Sequence, residues 1–179
     1  VLEENVWFYP ARDLLFYHAD IKGAFLTGKR MEVLRAIVEK KGREAITVVT
    51  TMDAFLDGLP SKEELCGNRI KIHAEEALDF QKLQENLSIL GYERENQVES
   101  PGQFAVRGGI LDVFPLTEEN PVRIELWGDE VDSIRSFDVE SQRSTENLQE
   151  IEIYPATENW KQMETESFLA YFPVKETIR

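Results

Sequence analysis

Residues 102–138, GQFAVRGGILDVFPLTEENPVRIELWGDEVDSIRSFD, place the tightest constraint on what this chain can fold into. Apolar and polar side chains alternate there with a period of two, and Gly108-Gly109 punctuates the run, so it reads as three or four consecutive β-strands. Within 121–127, Val122, Ile124 and Leu126 point one way while Arg123, Glu125 and Trp127 point the other. The apolar row must be buried, which puts a large aromatic ring on the same face as a cation and an anion. The preceding strand repeats the arrangement, with Phe104 and Val106 on one side and Ala105 and Arg107 on the other. If both strands share a sheet, Arg107 and Arg123 stand on one outer face, and Glu125, one strand repeat from Arg123, is placed to orient its guanidinium. Two readings of that face follow. It is a recognition surface anchored by Arg and Trp, the residue types enriched at interface hot spots, or an amphipathic sheet whose charged residues are solvated and whose Trp packs under a helix.

The rest of the chain divides around this stretch. VWFY (6–9) reads as a short strand ended by Pro10, and 13–28 as an irregular loop containing His18. Met31, Leu34, Ile37 and Val38 fall at helical spacing within 29–40, with Gly42 as a stop. AITVVT (45–50) is a β-branched strand, followed by a helical turn carrying Met52, Phe55 and Leu56. Strand, helix, strand, helix predicts part of a parallel α/β sheet over 1–66, with 61–68 as the linker out of it. Over 67–156 the pattern predicts an α+β unit: a brief strand at 69–72, a helix over 74–90 closed by Gly91, a strand over 92–98, the central stretch, and a strand over 148–154. One helix and five or six mostly antiparallel strands would make up this unit. Residues 157–179 read as a return segment to the first unit, with FLAYFP as its strand.

Charge and motifs narrow the chemistry. Acidic residues number 34 against 20 basic ones, a formal net charge of −14, and such a surface repels a phosphate backbone. The single cysteine, Cys66, excludes an internal disulfide and fits a reducing cytoplasm. No apolar run approaches the length that spans a bilayer, and VLEENVWFYPARD is read as mid-domain sequence rather than a leader. GAFLTGK (23–29) has phosphate-loop spacing as far as Lys29, but Arg30 stands where the motif needs Ser or Thr, and no apolar strand precedes Gly23. It is expected to be a glycine-bearing loop entering a helix. Asp129, Glu130 and Asp132 spell an acidic motor motif, yet the half-polar run before them is no buried parallel strand. A turn and an edge strand with outward Glu130 and Asp132 are expected instead. His18 and His73 have no partners at metal-ligand spacing, so neither a metal site nor a catalytic site is expected.

GQFAVRGGILDVFP, VRIELWGDEVDSIRSFDVESQR and IEIYPATE together resemble the second domain shared by UvrB and the transcription-repair coupling factors, and FDVESQR is closer to the latter. The resemblance covers most of the chain and is densest over 102–158. It implies the amino-terminal region of a coupling factor: part of a first domain related to the UvrB ATPase fold but without its nucleotide motifs, with a UvrB-like second domain inserted. Such a region is a protein-interaction module, without enzymatic activity or cofactor of its own. It recruits the excision-repair protein UvrA to lesions where RNA polymerase has stalled. ATP, magnesium, DNA and the polymerase would be bound by other parts of an ATP-driven translocase. In the family, the positions of Arg107, Arg123 and Trp127 contact UvrA, the last being usually Phe, and the Glu125 position does so in UvrB. UvrB has a further Arg at the position of Ala105, so this face has one cation fewer. It also has a Tyr-rich DNA-gripping hairpin that is missing here. The family further implies that a distant domain covers this face in the resting full-length protein. The alternative is a nucleotide- or DNA-binding fragment of a UvrB-like protein.

Overall fold

The computed structural model describes residues 6–12, 19–39, 46–157 and 165–171. The chain separates into two compact units, the second running from Asn68 to Thr157.

In the first unit, β1 (Val6–Tyr9) and β2 (Thr47–Thr50) pair in parallel, with α1 (Ala19–Glu39) between them in sequence. This is the βαβ order that alternating strand and helix patterns predict. The helix begins ten residues before the apolar period does, so it absorbs much of the expected loop, including Gly23 and Gly28. Each glycine costs a helix about 1 kcal/mol relative to Ala. Burial of Met31, Val33, Leu34 and Ile37 on one face outweighs that cost. After α2 (Met52–Leu56), capped by the Thr51 hydroxyl, comes β3 (Gly58–Pro60), a strand hidden in a sequence of turn-forming residues. The expected linker is largely a helix, α3 (Lys62–Gly67), and it carries Cys66. Its start is a reciprocal cap in which Ser61 Oγ accepts from Glu64 N–H and the Glu64 carboxylate accepts from Ser61 N–H.

The second unit opens on β4 (Ile70–His73). Then come α4 (Phe80–Ile89), β5 (Glu93–Arg94), β6 (Gln103–Arg107), β7 (Ile110–Val113), β8 (Val122–Trp127), β9 (Glu130–Phe137), β10 (Ser144–Leu148) and β11 (Glu150–Ile153). Strands β5 to β10 form one sheet in the order β10-β9-β8-β7-β6-β5, antiparallel except for β5 and β6, and β4 pairs with β11 separately. Eight strands therefore stand where five or six were expected; β11 is the strand expected over 148–154, and β10, almost wholly before it, was not foreseen. The expected strand over 92–98 shrinks to Glu93–Arg94.

The core lies on one side of the large sheet. Phe104, Leu111, Val113, Val122, Ile124, Val131 and Ile134 meet Leu83, Leu87 and Leu90 of the α4 region and Ile72, Ile151 and Ile153 of the small sheet. The helix starts at its Asp79 cap and not at Ala74, because residues 75–78 are drawn into hydrogen bonds along β9: Glu75 N–H donates to Val131 C=O, and Leu78 N–H to Asp129 C=O. Consequently the first half of β9 is flanked on both sides, and the edge strand expected there is an inner one.

Beyond the second unit, β12 (Thr165–Ser167) pairs antiparallel with β3, so the chain does return to the first unit. Residues 168–171 of the expected strand form a single 3-10 turn instead. His18 and Gly42 lie outside the described residues.

Candidate functional site

Two tight hairpins fix the outward face of the large sheet. Gly108-Gly109 joins β6 to β7 and Gly128-Asp129 joins β8 to β9, with φ of 61° at Gly108 and 65° at Gly128, a conformation open to glycine at little cost. Each turn is preceded by a predicted site residue, Arg107 or Trp127.

Register then sets the neighbours. Arg107, Ile110, Glu125 and Ser133 form one row across β6 to β9, and Ala105, Asp112, Arg123 and Arg135 form the next. These positions are the outward half of the alternation, whose other half fills the core. Arg107, Arg123, Glu125 and Trp127 are thus brought to one face, as their spacing predicts. Trp127 is 85% exposed, so it does not pack under a helix among the described residues.

The charges are wired differently from expectation. Glu125 does not orient Arg123: its carboxylate accepts from Arg135 Nη2 and from Ser133 Oγ. Arg123 is held by Asp112, whose Oδ1 accepts from Nε at 2.7 Å and whose Oδ2 accepts from Nη2 at 2.9 Å. The same Oδ2 accepts from Arg107 Nη2 at 2.6 Å. The Arg123 guanidinium lies over the Phe137 ring, 4.6 Å from its centroid, and its Nη2 also faces Gln142 Oε1 at 3.4 Å. Arg123 and Arg135 are direct cross-strand partners, and two like charges so placed repel. Asp112 offsets one and Glu125 the other. Hydrogen bonding to Asp112 raises the pKa of the Arg123 guanidinium further above its ordinary value.

Burial is graded across the face. Asp112 is 1% exposed, the Arg123 side chain 17% and that of Arg107 49%. At the far end Ala105 is covered by Val98, Phe114 and Val139, so that end is roofed and the end bearing Arg107 and Trp127 is open. Asp112, Arg135 and Phe137 are the members that sequence reasoning passed over. Their signal was the same alternation, since Ile110 and Asp112 oppose Leu111 and Val113 in ILDV, and Ser133 and Arg135 flank Ile134 in SIRSF.

The other candidate motifs do not assemble. Residues 23–29 lie inside α1, where backbone N–H groups serve the helix and cannot cradle a phosphate as a loop does. Lys29 pairs with Glu32 at 2.9 Å. Arg30, in the place of the missing hydroxyl residue, is buried against the Tyr9 ring and donates to Pro10 C=O and Asp57. Glu130 and Asp132 point outward from β9. His73 Nδ1 lies 3.2 Å from Glu150. Among the described residues no cluster of three or more His, Cys, Asp or Glu is placed to hold a metal, and no helix is long and apolar enough to cross a membrane.

Comparison with known proteins gives this face a context. The family model described as the UvrB interaction domain matches residues 70–159, half of the chain and nearly all of the second unit. The transcription-repair-coupling factor of Bacillus subtilis (strain 168) is 38% identical over 156 residues, covering 87% of this chain and 13% of its own length. The transcription-repair-coupling factors of two Staphylococcus aureus strains, bovine RF122 / ET3-1 and MRSA252, are each 34% identical over 155 residues with the same coverage. The chain thus spans 13% of the length of the curated relatives it matches.

Proposed function

Because this chain belongs to the UvrB interaction domain family, we propose that its second unit is the module through which a transcription-repair coupling factor recruits UvrA. The first unit is then part of that protein's opening α/β domain, with the second unit inserted into it. The module binds protein and performs no chemistry itself. ATP, magnesium, DNA and RNA polymerase engage other regions of a longer, cytoplasmic translocase.

The observation that carries this reading is Trp127. An indole 85% exposed at the open rim of a sheet, on the same outer face as Arg107 and Arg123, is apolar area available to a partner. Arg107, Arg123 and Glu125 supply the polar surround, which suits a partner surface carrying carboxylates. Titration of UvrA against the chain tests the reading: Trp127→Ala and Arg107→Ala are each expected to weaken binding by about 1–3 kcal/mol. Unchanged affinity in both would discard it.

A further inference from the structure

Arg107 and Arg123 come from different hairpins, and both are long side chains with many rotamers. Left to themselves, two like charges on β6 and β8, with only β7 between them, would spread apart and sample many orientations. In this sheet they do not, because one carboxylate between them accepts from both. Asp112 uses both oxygens on Arg123 and shares Oδ2 with Arg107, and it is 1% exposed, so no partner protein reaches it. Arg123 has spent its Nε and Nη2 edge inward, whereas Arg107 has spent only one Nη2 and is half exposed.

We infer that Asp112 is the positioning residue of the docking face: it touches no partner, but it locks two guanidinium groups at a fixed spacing before a partner arrives. The inference rests on the docking role proposed above and assigns its parts. Arg107 presents the free donors, Nε and Nη1, to a carboxylate of the partner. Arg123, stacked on Phe137, acts as the strut that holds Asp112 by both carboxylate oxygens. Binding then requires no ordering of either side chain, which is the usual route by which pre-organisation improves affinity.

Asp112→Asn separates this role from simple charge supply, because the alternatives predict opposite signs. The substitution makes the face one unit more positive. If the arginines contributed charge alone, an acidic partner would bind more tightly and faster. If Asp112 positions them, UvrA binding weakens ten-fold or more, and Arg107→Ala costs much less in the Asp112→Asn background than in the unaltered chain. Tighter binding, or additive effects of the two substitutions, would overturn the proposal. A partner-free measurement stands beside it and does not depend on the variant folding. The Arg123 Nε–H of the unaltered chain should give a resolved, slowly exchanging NMR signal that persists in Arg107→Ala. A signal exchanging like that of a solvated arginine would overturn the clamp. Failure of UvrA to bind the unaltered chain, with the Arg123 signal protected, would instead sink the docking role and leave the clamp intact.

Discussion

Arg123 and Trp127 project from the same strand to the same face, yet their removal should have opposite consequences for the fold. Trp127 is 85% exposed, so Trp127→Ala should leave chemical denaturation within about 0.5 kcal/mol of the unaltered chain. Arg123→Ala strands a buried carboxylate with only the half-exposed Arg107 to offset it. Removing one partner of a buried pair costs about 3–5 kcal/mol; the remaining arginine reduces this to about 2–3 kcal/mol, measurable in the same experiment. At this scale side-chain direction was legible from the period of two, which puts Arg107, Arg123, Glu125 and Trp127 on one face. Pairing was not. Glu125 and Asp112 are both within an arginine's reach on pattern alone, and only the cross-strand register decides which acid meets which base.

At the scale of elements, termini and turns are where stability is most exposed to single changes. Helix α4 ends in a full Schellman arrangement: Gly91 N–H donates to Ser88 C=O and Tyr92 N–H to Leu87 C=O, with Gly91 at φ 87°. A Cβ at Gly91 would also sit 2.8 Å from Thr157 Cγ2. Gly91→Ala should therefore cost about 2–3 kcal/mol, more than the left-handed backbone penalty of about 1–2 kcal/mol by itself. The loop between β9 and β10 is held by Asp138, whose Oδ1 accepts from Ser141 Oγ at 2.6 Å and from Ser141 N–H at 2.8 Å. Those bonds, the side-chain one first, hold its carboxyl below the ordinary Asp value. Since the folded pKa is lowered, the stabilisation is complete above the unfolded value and is lost as pH falls through the folded one. Ser141→Ala should shift the Asp138 titration upward, as followed by carboxyl NMR, and so move this loop's acid loosening to higher pH. The end of α4 was legible because Gly91 is a local signal. Its start was not, because the hydrogen bonds that hold Glu75 and Leu78 along β9 are tertiary and leave no trace in periodicity. The same limit hid β3, whose partner β12 lies far along the chain.

For the whole molecule, the βαβ order of the first unit and the antiparallel character of the second followed from the alternation of patterns. The number of strands did not. Every residue of the second unit's main core, from Ile72 to Ile153, comes from within that unit. A chain of residues 68–157 is therefore expected to fold by itself, unfold in one cooperative denaturant transition, and bind UvrA as the longer chain does. Loss of cooperativity on excision would show that the first unit supplies something essential to it. With a formal net charge of −14, the 179-residue chain should not retard duplex DNA in an electrophoretic assay at physiological salt.

The residues that seal the interior and those that face outward occupy alternate letters of the same four strands, divided by the plane of the sheet. At the open end of the outward face, mutation can therefore rewrite one set of letters while leaving the other nearly untouched. A lineage could drift toward a new ally by respelling the open end of the outward set, Arg107, Ile110, Glu125 and Trp127, and a designer could transplant that spelling onto any sheet of equal twist.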